Sequence, residues 1–208
     1  MVKKYFRIGI DFDNTIVGYN GLFLKAARGA GLVSQEFSGH KNQIRDSIKA
    51  LPSGERRWRE IQALVYGKLI SEARLVPGLA EFLLRCRELG VTIAVISHKT
   101  KYAYQDMEGI DLREAARNWM AGNSLFDSSV FNLEEGNVYF ENSRAEKIER
   151  IRILNCDYFI DDLVEVLCDP AFPEDVGAIL FDPNRQGQSN WRGTVCSSWD
   201  DITGVILG

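Results

Sequence analysis

Four short apolar runs constrain the fold of this chain most strongly. They are residues 5–10 (YFRIGI), 91–96 (VTIAVI), 158–160 (YFI) and 178–181 (AILF). Each ends at a side chain that carries oxygen: Asp11, Ser97, Asp161 and Asp182. The runs are mostly continuous rather than alternating. A strand with one wet face alternates, whereas a strand covered on both faces does not, so these runs predict buried strands of a parallel sheet.

Helical patterns fall between them. Residues 77–89 start with Pro77, stop before Gly90, and place Leu79, Phe82, Leu83 and Cys86 on one face. Residues 111–120 form a second candidate, with Asp111 as its N-cap. Residues 143–154 form a third: Ser143-Arg144-Ala145-Glu146 has the capping-box pattern, and Ile148, Ile151 and Leu154 make an apolar stripe. Residues 130–133 and 138–140 flank Glu134-Glu135-Gly136-Asn137 and are predicted to form a hairpin. Strands alternating with helices imply an α/β, doubly wound, mainly parallel sheet.

Residues 17–75 break the alternation. They hold helix-like segments at 21–30, 40–50 and 55–69, punctuated by Gly29, Gly31, Gly39, Pro52 and Gly54, with no convincing strand. The expectation is a core of residues 1–16 and 76–208, with 17–75 inserted as a small α-helical cap over the C-terminal edge of the sheet. A length of 208 residues accommodates both.

A net charge of -4 gives no electrostatic case for a nucleic-acid polymer or a membrane surface as partner. The N-terminal apolar run is interrupted by Arg7 and Asp11, which argues against a signal peptide or membrane span and makes a cytoplasmic location the expectation. Cys86, Cys156, Cys168 and Cys196 form no CxxC pair and read as buried reduced thiols, with a disulfide as the alternative. His40 has no partner histidine at zinc spacing. Oligomeric state is left open.

The chemistry concentrates at strand ends. Ligands of open parallel sheets bind outside the carboxyl ends of the strands, so Asp11, Asp13, Ser97, Asp161 and Asp162 can share one crevice. In Asp11-Phe12-Asp13-Asn14-Thr15 two carboxylates alternate just past a strand. Their repulsion would be offset by a bound divalent cation; a turn with side-chain-to-backbone hydrogen bonds is the bland alternative.

Asp11 to Thr15, then Ser97, then Lys147 on a helix, then Asp161-Asp162, occur in this order. That set resembles the haloacid dehalogenase-like (HAD) hydrolase superfamily over residues 5–16 and about 76–165. The resemblance implies a Rossmann-like core and a phosphatase. It makes Asp11 the nucleophile that forms an aspartyl-phosphate, and Asp13 the general acid and base. It implies Mg²⁺ held by Asp11, the Asp13 carbonyl and one carboxylate of Asp161-Asp162, with Asp162 the direct ligand and Asp161 supporting it.

The candidate phosphate-binding residues are Thr15, Ser97, His98 and Lys147. Lys99 and Arg144 are other cations within reach of the lysine role. His98 reads either as a substrate contact and proton shuttle or as a loop-start histidine without chemistry. The Arg56-Arg57-Trp58-Arg59 cluster reads either as an anion grip or as a charged helix face with Trp58 packed inward. Asp182 to Gly187 reads as a turn.

The expected partner is a small phosphorylated metabolite, a nucleotide or sugar phosphate. Asp13 favours phosphomonoester hydrolysis over dehalogenation, because a halide needs no acid to leave. The alternatives are a phosphoryl transferase or mutase using the same residues, and a binding module with little turnover. No GxxxxGK[ST] or GxGxxG loop supports another nucleotide-binding fold.

Overall fold

The computed structural model describes residues 6–103, 109–131, 133–185 and 191–208. In chain order its strands and helices are β1 (Arg7–Ile10), β2 (Val17–Gly18), α1 (Leu22–Gly29), α2 (Lys41–Lys49), α3 (Gly54–Tyr66), β3 (Arg74–Leu75), α4 (Leu79–Glu88), β4 (Thr92–His98), α5 (Leu112–Gly122), β5 (Val138–Glu141), α6 (Arg144–Ile153), β6 (Tyr158–Asp161), α7 (Val164–Leu167), β7 (Gly177–Phe181), β8 (Thr194–Cys196) and α8 (Trp199–Ile206). The chain forms two compact units. One runs up to Gly18, then from Leu75 to Lys99 and from Met120 onward; the other comprises Tyr19–Arg74 and Thr100–Trp119.

The first unit is an α/β fold on a six-stranded sheet of order β5-β4-β1-β6-β7-β8. Every adjacent pair in it is parallel. The apolar runs of the central strands β1, β4 and β6 are buried on both faces, as their sequence demands. On one face α6 and α7 close over Ala94, Ile96, Phe159 and Leu180, burying Ile148, Ile151, Val166 and Leu167. On the other, Trp199 of α8 packs on Phe82 of α4 and Phe181 of β7, with ring centroids 4.8 and 5.7 Å away. Gly9 opposes Phe159 in the β1–β6 register. A Cβ at Gly9 would lie 2.6 Å from that ring, so only glycine lets β1 sit at the centre of this sheet.

Several local expectations need correction. Residues 130–131 and 133 form no strand, and 138–141 pair parallel with β4 rather than folding back in a hairpin; Glu135–Asn137 is a single 3-10 turn. The VYFE segment is an edge strand of the main sheet, and its apparent partner was only an apolar stretch near a turn. Asn132 lies outside the described residues, as do Tyr5 of the first run and Gln186 and Gly187 of the last turn. Pro77 does not open a helix. Gly78 adopts φ 84°, pressed against Trp199, and α4 begins only at Leu79. At α6, Ser143 accepts from the Glu146 amide as expected, but Glu146 reaches back to the backbone amide of Asn142. Asp111 caps α5 through the amides of Arg113 and Glu114.

The second unit is built on α1, α2 and α3. Phe23 stacks on Trp58 at 5.3 Å, with Tyr19 and Tyr66 edge-on, and Lys41 lies over the Phe23 and Tyr66 rings. Trp58 is buried, and Arg56 pairs with Glu60 on the exposed side of α3, so the arginine cluster is a solvated helix face. Residues 100–119 join this unit although they come just after β4 of the first. No described helix is long and apolar enough to cross a membrane.

All four cysteines are free; three are buried and Cys168 is exposed, against the expectation of four buried thiols. Burial pushes the Cys86 and Cys156 thiols up to about 12. Since the thiolate is the reactive form, a thiol reagent should titrate about one cysteine rapidly in the native protein and the rest only in denaturant. Cys168→Ser should remove the rapid phase; a rapid phase persisting in that variant would contradict this packing.

Candidate active site

The site stands at the C-terminal edge of the first unit's sheet, where four elements meet. β1 ends at Ile10, and the Asp11 amide donates to the Ile160 carbonyl at 2.9 Å, seating Asp11 between β1 and β6. The next residues make a tight turn. Ile16 and Val17 donate to the Phe12 carbonyl, and Asn14 donates to the Val17 carbonyl. Phe12 is fully buried, edge-on to Phe140, and anchors the turn from below. Asp11 and Asp13, on either side of Phe12, are thereby held apart from it.

Lys147 is the central cation. It lies on α6 one residue before Ile148 and four before Ile151, on the helix face turned toward the sheet, and it is 1% exposed. Its Nζ donates to Asp11 Oδ1 at 2.5 Å and to Asp161 Oδ2 at 2.7 Å. Burial disfavours its charge, but the two carboxylates outweigh burial and raise its pKa. Asp161 is raised chiefly by burial, with Lys147 opposing the shift and Asp11 adding to it. Asp161 Oδ1 also accepts from the Leu163 amide at 3.0 Å, so both of its oxygens are engaged.

Asp11, Asp161 and the half-buried Asp162 each bring a carboxylate oxygen within 4.8 Å of the other two. Such a cluster can hold a metal ion: of its three hard oxygen donors, Asp11 and Asp161 share one ammonium, leaving negative charge for a cation to offset. Among the described residues it is the one such cluster of acidic, histidine or cysteine side chains.

The Asp13 carboxylate is engaged elsewhere. Lys99, one residue past β4 and 4% exposed, donates to both Asp13 oxygens at 2.8 and 3.0 Å. The Lys99 backbone is held in turn by its amide on the Glu141 carbonyl. Ser97 is buried at the end of β4, while His98, its neighbour on the opposite face of the strand, is exposed. Thr15 is fully buried and its hydroxyl has no hydrogen-bond partner. Arg144 reaches Asp169 and the Glu165 carbonyl instead of the acidic cluster. Asp182 ends β7 and, with Arg185, Cys196 and Asp201, borders a cavity of about 640 Å³ that includes none of the clustered carboxylates.

The fold that positions these residues recurs in solved structures. The chain superposes on a haloacid dehalogenase-like family hydrolase from Streptococcus pneumoniae with a TM-score of 0.60 at 14% identity, covering 97% of this chain and 98% of the other. The chain has the HAD-like fold. It superposes comparably on protein tyrosine kinase A of Mycobacterium tuberculosis (TM-score 0.62, 12% identity, 98% of both chains). A CbbY variant from Rhodobacter sphaeroides, in complex with xylulose-1,5-bisphosphate, matches with a TM-score of 0.50 at 15% identity over 94% of this chain and 95% of that one. No protein-family model and no curated protein matches the sequence. A HAD-like fold shared by proteins so differently described does not choose a reaction, and the choice falls to the site.

Two contacts lay beyond the sequence pattern. Lys99 was one of several cations near Ser97, and nothing in the residue order assigned it to Asp13. Asn14 Nδ2 donates to Asp162 Oδ2 at 3.1 Å, across a separation of 148 positions. Its only advance signal was an asparagine in a turn.

Replacing Lys147 with Met keeps volume and leaves two buried carboxylates without their cation. Lys147→Met should cost about 3–5 kcal/mol in urea unfolding of the metal-free protein. A cost below about 1 kcal/mol, the size of an exposed ion pair, would contradict the burial of this cation.

Proposed function

We propose that this chain is a Mg²⁺-dependent phosphatase that hydrolyses a small phosphomonoester through an aspartyl-phosphate on Asp11. One observation carries the proposal: Asp11, Asp161 and Asp162 bring carboxylate oxygens within 4.8 Å of one another, and the buried Lys147 ammonium binds two of them, Asp11 and Asp161. An all-oxygen donor set with surplus negative charge fits Mg²⁺. Asp11 and Asp162 are the direct side-chain ligands, with the Asp13 carbonyl. Asp161, both of whose oxygens are engaged, supports them. When bound, Mg²⁺ neutralises charge on the phosphoryl oxygens and orients the group for in-line attack.

The chain's own residues supply the rest. An Asp11 oxygen attacks phosphorus, the bond to the leaving oxygen breaks, and its electron pair goes with that oxygen. Asp13, when protonated on one oxygen in place of one of its two Lys99 contacts, gives the leaving oxygen its proton. Asp13 then takes a proton from water, whose oxygen attacks phosphorus. The bond to Asp11 breaks, the carboxylate is restored and inorganic phosphate departs. Lys147, with the Ser97 and Thr15 hydroxyls, donates to the phosphoryl oxygens. His98 has no part in these steps.

The fold shared with CbbY, a protein seen with a sugar bisphosphate, supports a sugar phosphate or similar metabolite as substrate. Free cysteines support a reducing, cytoplasmic setting.

The purified protein should release p-nitrophenol from p-nitrophenyl phosphate with Mg²⁺ and lose that activity in chelator. Asp11→Asn should abolish turnover. Asp13→Asn should lose about 10²- to 10⁴-fold on an alkyl phosphate, whose leaving group needs a proton, and much less on p-nitrophenyl phosphate. Full activity in Asp11→Asn, or equal losses of Asp13→Asn on both substrates, would reject the assignment.

A further inference from the structure

Asn14 holds a backbone conformation that its side chain must justify. Its φ is 62°, in the left-handed region, where glycine is the least strained residue. The turn itself needs only the Asn14 backbone: the amide donates to the Val17 carbonyl at 2.9 Å whatever the side chain is. Glycine would serve that turn equally well. What glycine lacks is the amide group, and Asn14 Nδ2 donates to Asp162 Oδ2 at 3.1 Å.

The bond joins the two halves of the acidic cluster. Asn14 is three residues from Asp11 on the turn after β1, and Asp162 follows β6. Asp161 is fixed by Lys147 and by the Leu163 amide. Asp162 is half-buried, and its Oδ2 accepts from Asn14. A carboxylate free to rotate presents its oxygens to a cation over a range of directions. One held at Oδ2 by a neutral donor presents Oδ1 in a single direction without losing its charge.

We propose that Asn14 is a positioning residue for the divalent cation: by holding Asp162 Oδ2, it sets the orientation of the Asp162 carboxylate toward Asp11 and so raises metal affinity. The inference rests on the metal reading given above. It attributes the choice of asparagine, over the strain-free glycine, to metal binding rather than to the turn.

Asn14→Gly isolates the side chain, because glycine accepts the same backbone. In metal-free protein its melting temperature should match or exceed that of the wild type. Titration calorimetry with Mg²⁺ and no substrate should show the dissociation constant rising by roughly ten- to a hundredfold, the usual effect of losing a group that orients a metal ligand. Turnover of p-nitrophenyl phosphate should fall at limiting Mg²⁺ and recover at saturating Mg²⁺. An unchanged dissociation constant in Asn14→Gly would overturn the inference, as would an activity loss that Mg²⁺ does not restore. Wild-type affinity in Asp162→Ala would also overturn it, and with it the assignment of Asp162 as a direct ligand, while leaving Asp11 as nucleophile intact. No Mg²⁺ uptake by the wild-type protein would overturn both.

Discussion

The ammonium of Lys147 is the interaction on which the site depends. It sits between Asp11 at the end of β1 and Asp161 at the end of β6, at 2.5 and 2.7 Å, and all three groups are buried. Burying a charge alone is prohibitive, and a buried ion pair holds only where geometry is close and the remaining lone pairs are satisfied. That requirement fixes the register of α6. Ile148 and Ile151 must face the sheet while Lys147, on the same side, reaches past it to the carboxylates. It also explains why β1 and β6 lie side by side at the centre of the sheet, with Gly9 admitting Phe159 between them.

Two buried cations divide the work. Lys147 serves the pair Asp11 and Asp161, and Lys99 serves Asp13. The carboxylates at alternate positions of one turn therefore have separate partners and separate environments. Asp11 belongs to the cluster that can hold a metal; Asp13, further exposed, lies outside it. Environments that differ in this way are how two like groups can take different roles, and the proposed mechanism gives Asp11 that of nucleophile and Asp13 that of proton carrier. Asp162, whose Oδ2 accepts from Asn14, adds the third carboxylate of that cluster.

Much of this was legible in the sequence because the signals were strong and local. Apolar runs ending in Asp11, Ser97 and Asp161 marked three central strands, and in a parallel sheet their ends must share an edge. Lys147 was legible only from its place in the motif order that carries the HAD-like resemblance, since a lysine on a helix is ordinarily a solvated face. The misread elements had weak or competing signals. VYFE at 138–141 looked like one arm of a hairpin because a turn preceded it, yet its partner is β4, some forty residues earlier. Residues 100–119 carried no sign of belonging with α1 to α3. The contacts of Lys99 with Asp13 and of Asn14 with Asp162 depend on tertiary geometry across 86 and 148 positions, which no local pattern encodes. Glycine-like φ at Asn14 is invisible without coordinates.

The central claim is that Asp11 carries the phosphoryl group. Turnover of a phosphomonoester can be quenched in acid and the protein reduced with borohydride, which converts an acyl phosphate to the alcohol. Peptide mapping by mass spectrometry then locates the reduced side chain. The expected result is substrate- and Mg²⁺-dependent reduction at Asp11, with greater yield in Asp13→Asn, where hydrolysis of the intermediate is slowed. Phosphate release without any reduced aspartate, or reduction at a different residue, would contradict it.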